Sequence, residues 1–113
     1  MKVNAESYGH AVILNLQGEV SEDDLAPLNQ AVEHQLVGPE VVDIVLNFES
    51  VPFIDSAGLE YLLDLQDRLA ERFGQVKLVH VDENVSTILE VTRLRSNFET
   101  FDSVTEAVKT LKV

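Results

Sequence analysis

The residues most able to do chemistry stand together in Ser50-Val-Pro-Phe-Ile-Asp55-Ser56-Ala57-Gly58-Leu59, where an apolar run gives way to a helical pattern. An acid, a hydroxyl and a glycine at a strand-to-helix turn sit where the first N–H groups of a helix lack partners, a natural anion site. Asp55 or Ser56 also suits plain N-capping of that helix, a role worth typically about 1 kcal/mol. Catalysis asks for more than this. Ser56 lacks the glycine two residues ahead that a nucleophile elbow uses. Glycines 9, 18, 38, 58 and 74 each mark an element boundary and never cluster into a phosphate loop. His10, His34 and His80 are scattered over two strands and a helix, which fits structural or surface roles better than metal ligation. There is no cysteine, hence no thiolate nucleophile, no thiolate zinc site and no disulfide. The acids Glu22-Asp23-Asp24 could hold a cation, but complementing a helix dipole explains them more simply, as it does Asp82-Glu83. The expectation is a protein without catalytic residues, metal or cofactor, which works by binding.

The elements that must position the turn follow from periodicity and punctuation. Val3, Ala5 and Ser7 alternate with polar residues as an edge strand, and Tyr8-Gly9 reads as a tight turn. His10 to Gln17 is a strand closed by Gly18. Ser21 caps a helix with acids in its first turn and Leu25, Leu28, Val32 and Leu36 toward the core; Gly38-Pro39 ends it. Val41 to Phe48, apolar on both faces, is a central strand. The turn at Asp55 then opens a helix from about Ala57 to Phe73, stopped by Gly74. A strand over Val76–Val81 and a helix from Asp82 to about Leu94 follow, the latter with Val85, Ile88, Leu89 and Thr92 at helical spacing. Asn97 to Phe101 is a short edge strand. Ser103-Val-Thr-Glu106 is a capping box for a last helix through Val104, Ala107, Val108 and Leu111. The order β-β-α-β-α-β-α-β-α makes an α/β domain, a mixed sheet of about five strands with about four helices.

At 113 residues the chain makes one domain, 1–113, with no repeat and no linker. Twenty acids against eight bases give −12, which disfavours nucleic acid and anionic bilayers and favours basic protein surfaces. No apolar stretch reaches the ~18 residues of a membrane span, and no signal-peptide order opens the chain; a cytoplasmic domain is expected. In the helix after the turn, Leu59, Leu62, Leu63, Leu69 and Phe73 form an apolar face. Glu60, Asp64, Asp67 and Glu71 make an acidic stripe opposite, partly offset by Arg68 and Arg72. A solvated face explains such a stripe simply, but beside the turn it also suits a basic partner, with Pro52 and Phe53 as an apolar anchor.

Four pieces in order, Leu16-Gln-Gly18-Glu19, Val45-Leu46-Asn-Phe48, Asp55 to Leu59 and Phe101-Asp-Ser103, resemble the STAS family over essentially the whole chain. Its best-known members are bacterial anti-sigma factor antagonists. The resemblance implies a STAS-like fold and an anti-sigma factor as partner, a serine kinase where the family's switch is intact. It implies partner contacts at Phe53, Asp55, Ser56, Ala57, Gly58, Glu60 and Asp64. In the family's Asp-Ser-(Ser/Thr)-Gly-Leu motif, the residue before the glycine is the hydroxyl that the kinase phosphorylates. Here it is Ala57, so this chain has no acceptor there. Ser56, one residue earlier, faces roughly 100° away around the helix and fits capping better than phosphate acceptance. The function implied is sequestration of an anti-sigma factor without the usual phosphorylation. The rival is a small STAS subunit of a lipid-transport ABC complex, docking on its ATPase. Nothing in the sequence sets the oligomeric state.

Overall fold

Strand β1 (Lys2–Tyr8) returns as β2 (Ala11–Gln17). There follow α1 (Leu25–Gln35), β3 (Asp43–Ser50), α2 (Ser56–Ala70), β4 (Val76–Val79), α3 (Glu83–Val91), β5 (Glu99–Phe101) and α4 (Val104–Lys109). This is a computed structural model, and it describes residues 1–111. The strands lie in the order β1-β2-β3-β4-β5, antiparallel between β1 and β2 and parallel elsewhere. The mixture is dictated locally. Gly9, at φ 58, reverses the chain within two residues, whereas each later strand pair is joined through a helical crossover. The expected α/β fold with a five-stranded mixed sheet and four helices is the one observed.

Alternate residues of the central strands divide the core. Val12, Leu14, Ile44, Leu46, Phe48 and Leu78 pack beneath Leu28 and Val32 of α1, Leu62, Leu65 and Leu69 of α2, and Val85 and Leu89 of α3. On the opposite face Ile13, Val45 and Val79 meet Ala107, with Val104 and Val108, of α4. So α1 to α3 cover one face, and α4 covers part of the other.

The boundaries differ from the sequence expectations for identifiable reasons. Ser21 makes no side-chain cap; a short 3-10 turn, Glu22–Asp24, precedes α1. α2 ends at Ala70, and Phe73, not Gly74, is the left-handed residue after it (φ 62), with the Gly74 N–H donating to Leu69 O at 2.8 Å. Phe73 is therefore no part of the apolar face but 98% exposed; Leu65 is in the core instead. Gly74 is required for another reason: a Cβ there would stand 1.6 Å from the Val42 carbonyl oxygen. α3 stops at Val91, before Leu94, by the same device: Arg93 is left-handed (φ 62) and the Leu94 N–H reaches Leu89 O at 2.9 Å. β4 ends at Val79 because the chain turns at left-handed His80 (φ 54), whose N–H makes a last bond to Phe101 O at 3.2 Å. Of the three alternating residues in β1, only Val3 packs on the core, since Ala5 and Ser7 lie exposed. Ser103 does cap α4, its Oγ accepting from the Glu106 N–H at 3.2 Å.

Candidate functional site

Beyond the sheet, the loops that follow β2 and β3 stay side by side. The Gly18 N–H donates to Ser50 O (3.1 Å), the Val20 N–H to Phe53 O (3.0 Å), and the Asp55 N–H to Val20 O (3.2 Å). Val20, Val51 and Ile54 are buried beneath this seam, which holds Pro52 and Phe53 outward; Phe53 is 44% exposed. Gly58 fits the seam from below. A Cβ there would meet the Val20 carbonyl at 2.2 Å and Ile54 Cγ1 at 2.8 Å, so only glycine lets α2 approach this closely.

Asp55 locks the arrangement. Its Oδ1 accepts from the Gly58 N–H at 2.8 Å, capping α2, and its Oδ2 accepts from the Glu22 N–H at 3.0 Å, at the start of the 3-10 turn. One carboxylate thus closes two helical starts, which is why the hydroxyl of Ser21 is not needed as a cap. The Glu22 N–H, then that of Gly58, hold the Asp55 carboxyl below its ordinary range, outweighing its partial desolvation; the Ala57 N–H adds to this. The anion expected at this helix start is therefore the protein's own side chain. Ser56, the first helical residue, is exposed and is not the cap; Ala57 is half-buried behind it.

Glu60, Asp64, Asp67 and Glu71 are all exposed along α2, as the acidic stripe requires. The two arginines expected to offset them turn elsewhere, because α1 packs beside α2. Arg68 pairs with Glu33 of α1 at 2.5 Å, which lowers the Glu33 pKa and raises that of Arg68. Arg72 donates to three backbone carbonyls, Leu36 (2.7 Å), Gly38 (2.8 Å) and Val41 (3.0 Å), where α1 ends. Among the described residues, the stripe accordingly runs from the Asp55 turn without a paired base. Sequence reasoning missed both the Asp55–Glu22 bond and the Arg72 clamp. The open carbonyl at the end of α1 signals only the Leu36 part of the latter, since something must satisfy it; the Gly38 and Val41 carbonyls lie in the loop beyond.

Phe53, Asp55, Ser56, Ala57 and Glu60 thus surround one turn at the C-terminal edge of the sheet, with Asp64 one helical turn further on and Gly58 buried below. Among the described residues no three acids or histidines are grouped to hold a metal ion, and no helix is long and apolar enough to cross a membrane.

Comparisons with known proteins bear on the family and the fold. The sequence model of the STAS domain matches residues 2–107. An anti-sigma F factor antagonist of Paenibacillus polymyxa is 20% identical over 113 residues, all of this chain and 97% of the relative. The solved structure of the anti-sigma factor antagonist SpoIIAA in its unphosphorylated form superposes with a TM-score of 0.80 at 20% identity, over 96% of this chain and 94% of the other. The phosphorylated form of this Bacillus cell fate determinant gives 0.74 at 19% identity, over 98% and 100%. At such identities the structural likeness shows the fold alone.

Proposed function

Because the chain belongs to the STAS domain family, we propose that it acts by binding, as an anti-sigma factor antagonist that sequesters an anti-sigma factor in the cytoplasm. The observation that supports this most is the Asp55 turn, where an outward Phe53, an exposed Ser56 and the exposed acids Glu60 and Asp64 lie together on a rigid seam. An exposed aromatic beside uncompensated acids suits a partner surface that is apolar at its centre and basic at its rim. No nucleic acid, lipid surface, metal or cofactor enters the mechanism. Occupying the partner is the whole effect, and no bond is made or broken.

Ala57 distinguishes this antagonist from a switched one. A phosphoryl group on residue 57 would place about −1.5 to −2 charges beside the Asp55 carboxylate, which already holds the helix N–H groups, and so would repel this acid and set a bulky hydrated group where the partner's apolar centre docks. Ala57 carries no hydroxyl, so the protein stays in its binding state.

The test uses the anti-sigma kinase of the same organism, ATP and intact-mass measurement. Wild-type protein binds and gains no phosphate. Ala57→Ser is phosphorylated at residue 57 and then loses affinity for the kinase. Phosphate on wild-type Ser56 would show a displaced switch. Absence of phosphate on Ala57→Ser, with the fold intact and the kinase active on a control substrate, would overturn the kinase as partner.

A further inference from the structure

The two edges of the sheet are unlike. β5 spans three residues, and its neighbour Phe98 is buried. β1 spans seven, all exposed except Val3, and its register with β2 is unbroken from Lys2↔Gln17 to Tyr8↔Ala11. It carries none of the proline, bulge or shortness that usually guards an edge. Tyr8 and Ala11 close a two-residue hairpin loop and so form a hydrogen-bonded pair. Bonds alternate along the ladder, so the N–H and C=O groups of Val3, Ala5 and Ser7 point away from β2, toward the open edge. Lys2, Asn4 and Glu6 share one face, the face that α4 covers only in part.

We propose that β1 is a self-complementary edge on which a second copy of this chain pairs antiparallel about Asn4, joining two five-stranded sheets into one. In this register Val3 of each copy lies opposite Ala5 of the other, as hydrogen-bonded pairs. Asn4 lies opposite Asn4, and Lys2 opposite Glu6, twice by symmetry. Cross-strand pairs of opposite charge favour pairing and like pairs oppose it, which selects this register. Centring on Val3 sets Lys2 against Asn4, centring on Ala5 sets Glu6 against Asn4, and centring on Glu6 sets two carboxylates against each other. An amide ladder leads to the same axis. Asn47 Nδ2 donates to Asn15 Oδ1 at 2.8 Å, and Asn15 Nδ2 donates to Glu6 Oε1 at 2.8 Å and to Asn4 Oδ1 at 3.4 Å. Asn4 Nδ2 has no protein acceptor among the described residues, and Asn4 of the second copy supplies one. The net charge of −12 on each copy opposes association at a distance and keeps the dimer weak.

Sedimentation equilibrium of the full chain, from micromolar to millimolar concentration, tests this. The wild type shows a concentration-dependent monomer–dimer equilibrium. Lys2→Glu and Glu6→Lys each weaken it by about tenfold, since each turns two attractive pairs into two repulsive ones. The double variant restores both pairs with signs exchanged and recovers the wild-type constant. Ala5→Pro removes an outward N–H while leaving the bonds to β2, so it abolishes the dimer with the circular dichroism unchanged. A monomer at every concentration, or a dimer indifferent to both single reversals, overturns the proposal.

Discussion

At the start of α2 the Asp55 carboxylate takes N–H groups from two helical starts; just past its end the Arg72 guanidinium gives N–H groups to the Leu36 carbonyl that closes α1 and to the Gly38 and Val41 carbonyls of the loop after it. Each end also has a glycine pressed against a backbone carbonyl, Gly58 under Val20 and Gly74 under Val42. Each has an exposed phenylalanine, Phe53 and Phe73. The two ends are thus built from one kit with the charges exchanged, as the helix dipole demands: an anion at the N-terminus, a cation at a C-terminus. An acid, a glycine and an outward aromatic therefore do not by themselves mark a binding site, because their counterparts at the far end serve architecture. The first end differs in two respects. Position 57, the acceptor position implied by the family resemblance, lies there, and the loops of β2 and β3 converge there to make a stiff platform.

The glycines give the largest expected effects. Adding a Cβ would bring it to 1.6 Å from a carbonyl at Gly74 and 2.2 Å at Gly58, neither of which real contacts permit. Gly74→Ala and Gly58→Ala should each cost roughly 1–3 kcal/mol of stability by urea denaturation, Gly74→Ala the more. A neutral Gly74→Ala would break the kinship of the two ends, leaving the close approach a requirement of the Asp55 turn alone.

The charged clamps come next and separate by pH. Arg72→Ala leaves three partly buried carbonyls to find water and should cost roughly 1–3 kcal/mol. Asp55→Asn keeps one of the two acceptors, turns a donor NH2 toward the other N–H, and removes the charge. Folding lowers the Asp55 pKa, so its contribution is complete above the ordinary Asp range and is lost as pH falls through that range toward the folded value. The stability gap between wild type and Asp55→Asn should therefore close below about pH 4. The gap to Arg72→Ala should persist there, because the three groups that Arg72 holds are neutral backbone carbonyls. Glu33, held down by Arg68, adds to the acid limb of both proteins alike and cancels in the comparison. A pH-independent gap for Asp55→Asn would mean that the carboxylate holds its N–H groups no better than the neutral carboxylic acid does.

Much of this could be read from the chain. The alternation of apolar runs with Gly and Pro stops gave the element order, and the turn at Asp55 stood out by composition. The boundaries were less legible because two helices end on left-handed Phe73 and Arg93, where glycine was the expected signal. The partners of Arg68 and Arg72 were invisible for a plainer reason. A helical pattern shows which residues share a face, but only packing beside α1 decides that Arg68 meets Glu33 and not the acids of its own helix. The same limit hid the second bond of Asp55, whose partner Glu22 lies 33 residues away.

The smallest effect is kinetic, and it asks which end of α2 a partner meets. Glu60 and Asp64 lie nearer the Asp55 turn, Asp67 and Glu71 nearer the Arg72 clamp, and all four are exposed with no paired base among the described residues. Exposed charges contribute little to holding a complex but steer its formation, and salt screens them over about 8 Å at physiological ionic strength. If a basic partner docks on the Asp55 turn, reversing Glu60 and Asp64 to Lys should slow association severalfold and flatten its salt dependence. Reversing Asp67 and Glu71 should do less, because at roughly 1.5 Å per residue they lie at least two screening lengths from Asp55, farther than Glu60 and Asp64. Dissociation should change little in either variant. Stopped-flow association at two ionic strengths reads all of this. Equal slowing by both pairs would mean that the partner lies along the whole helix, and a larger effect from Asp67 and Glu71 would move the docking site to the end bearing Phe73.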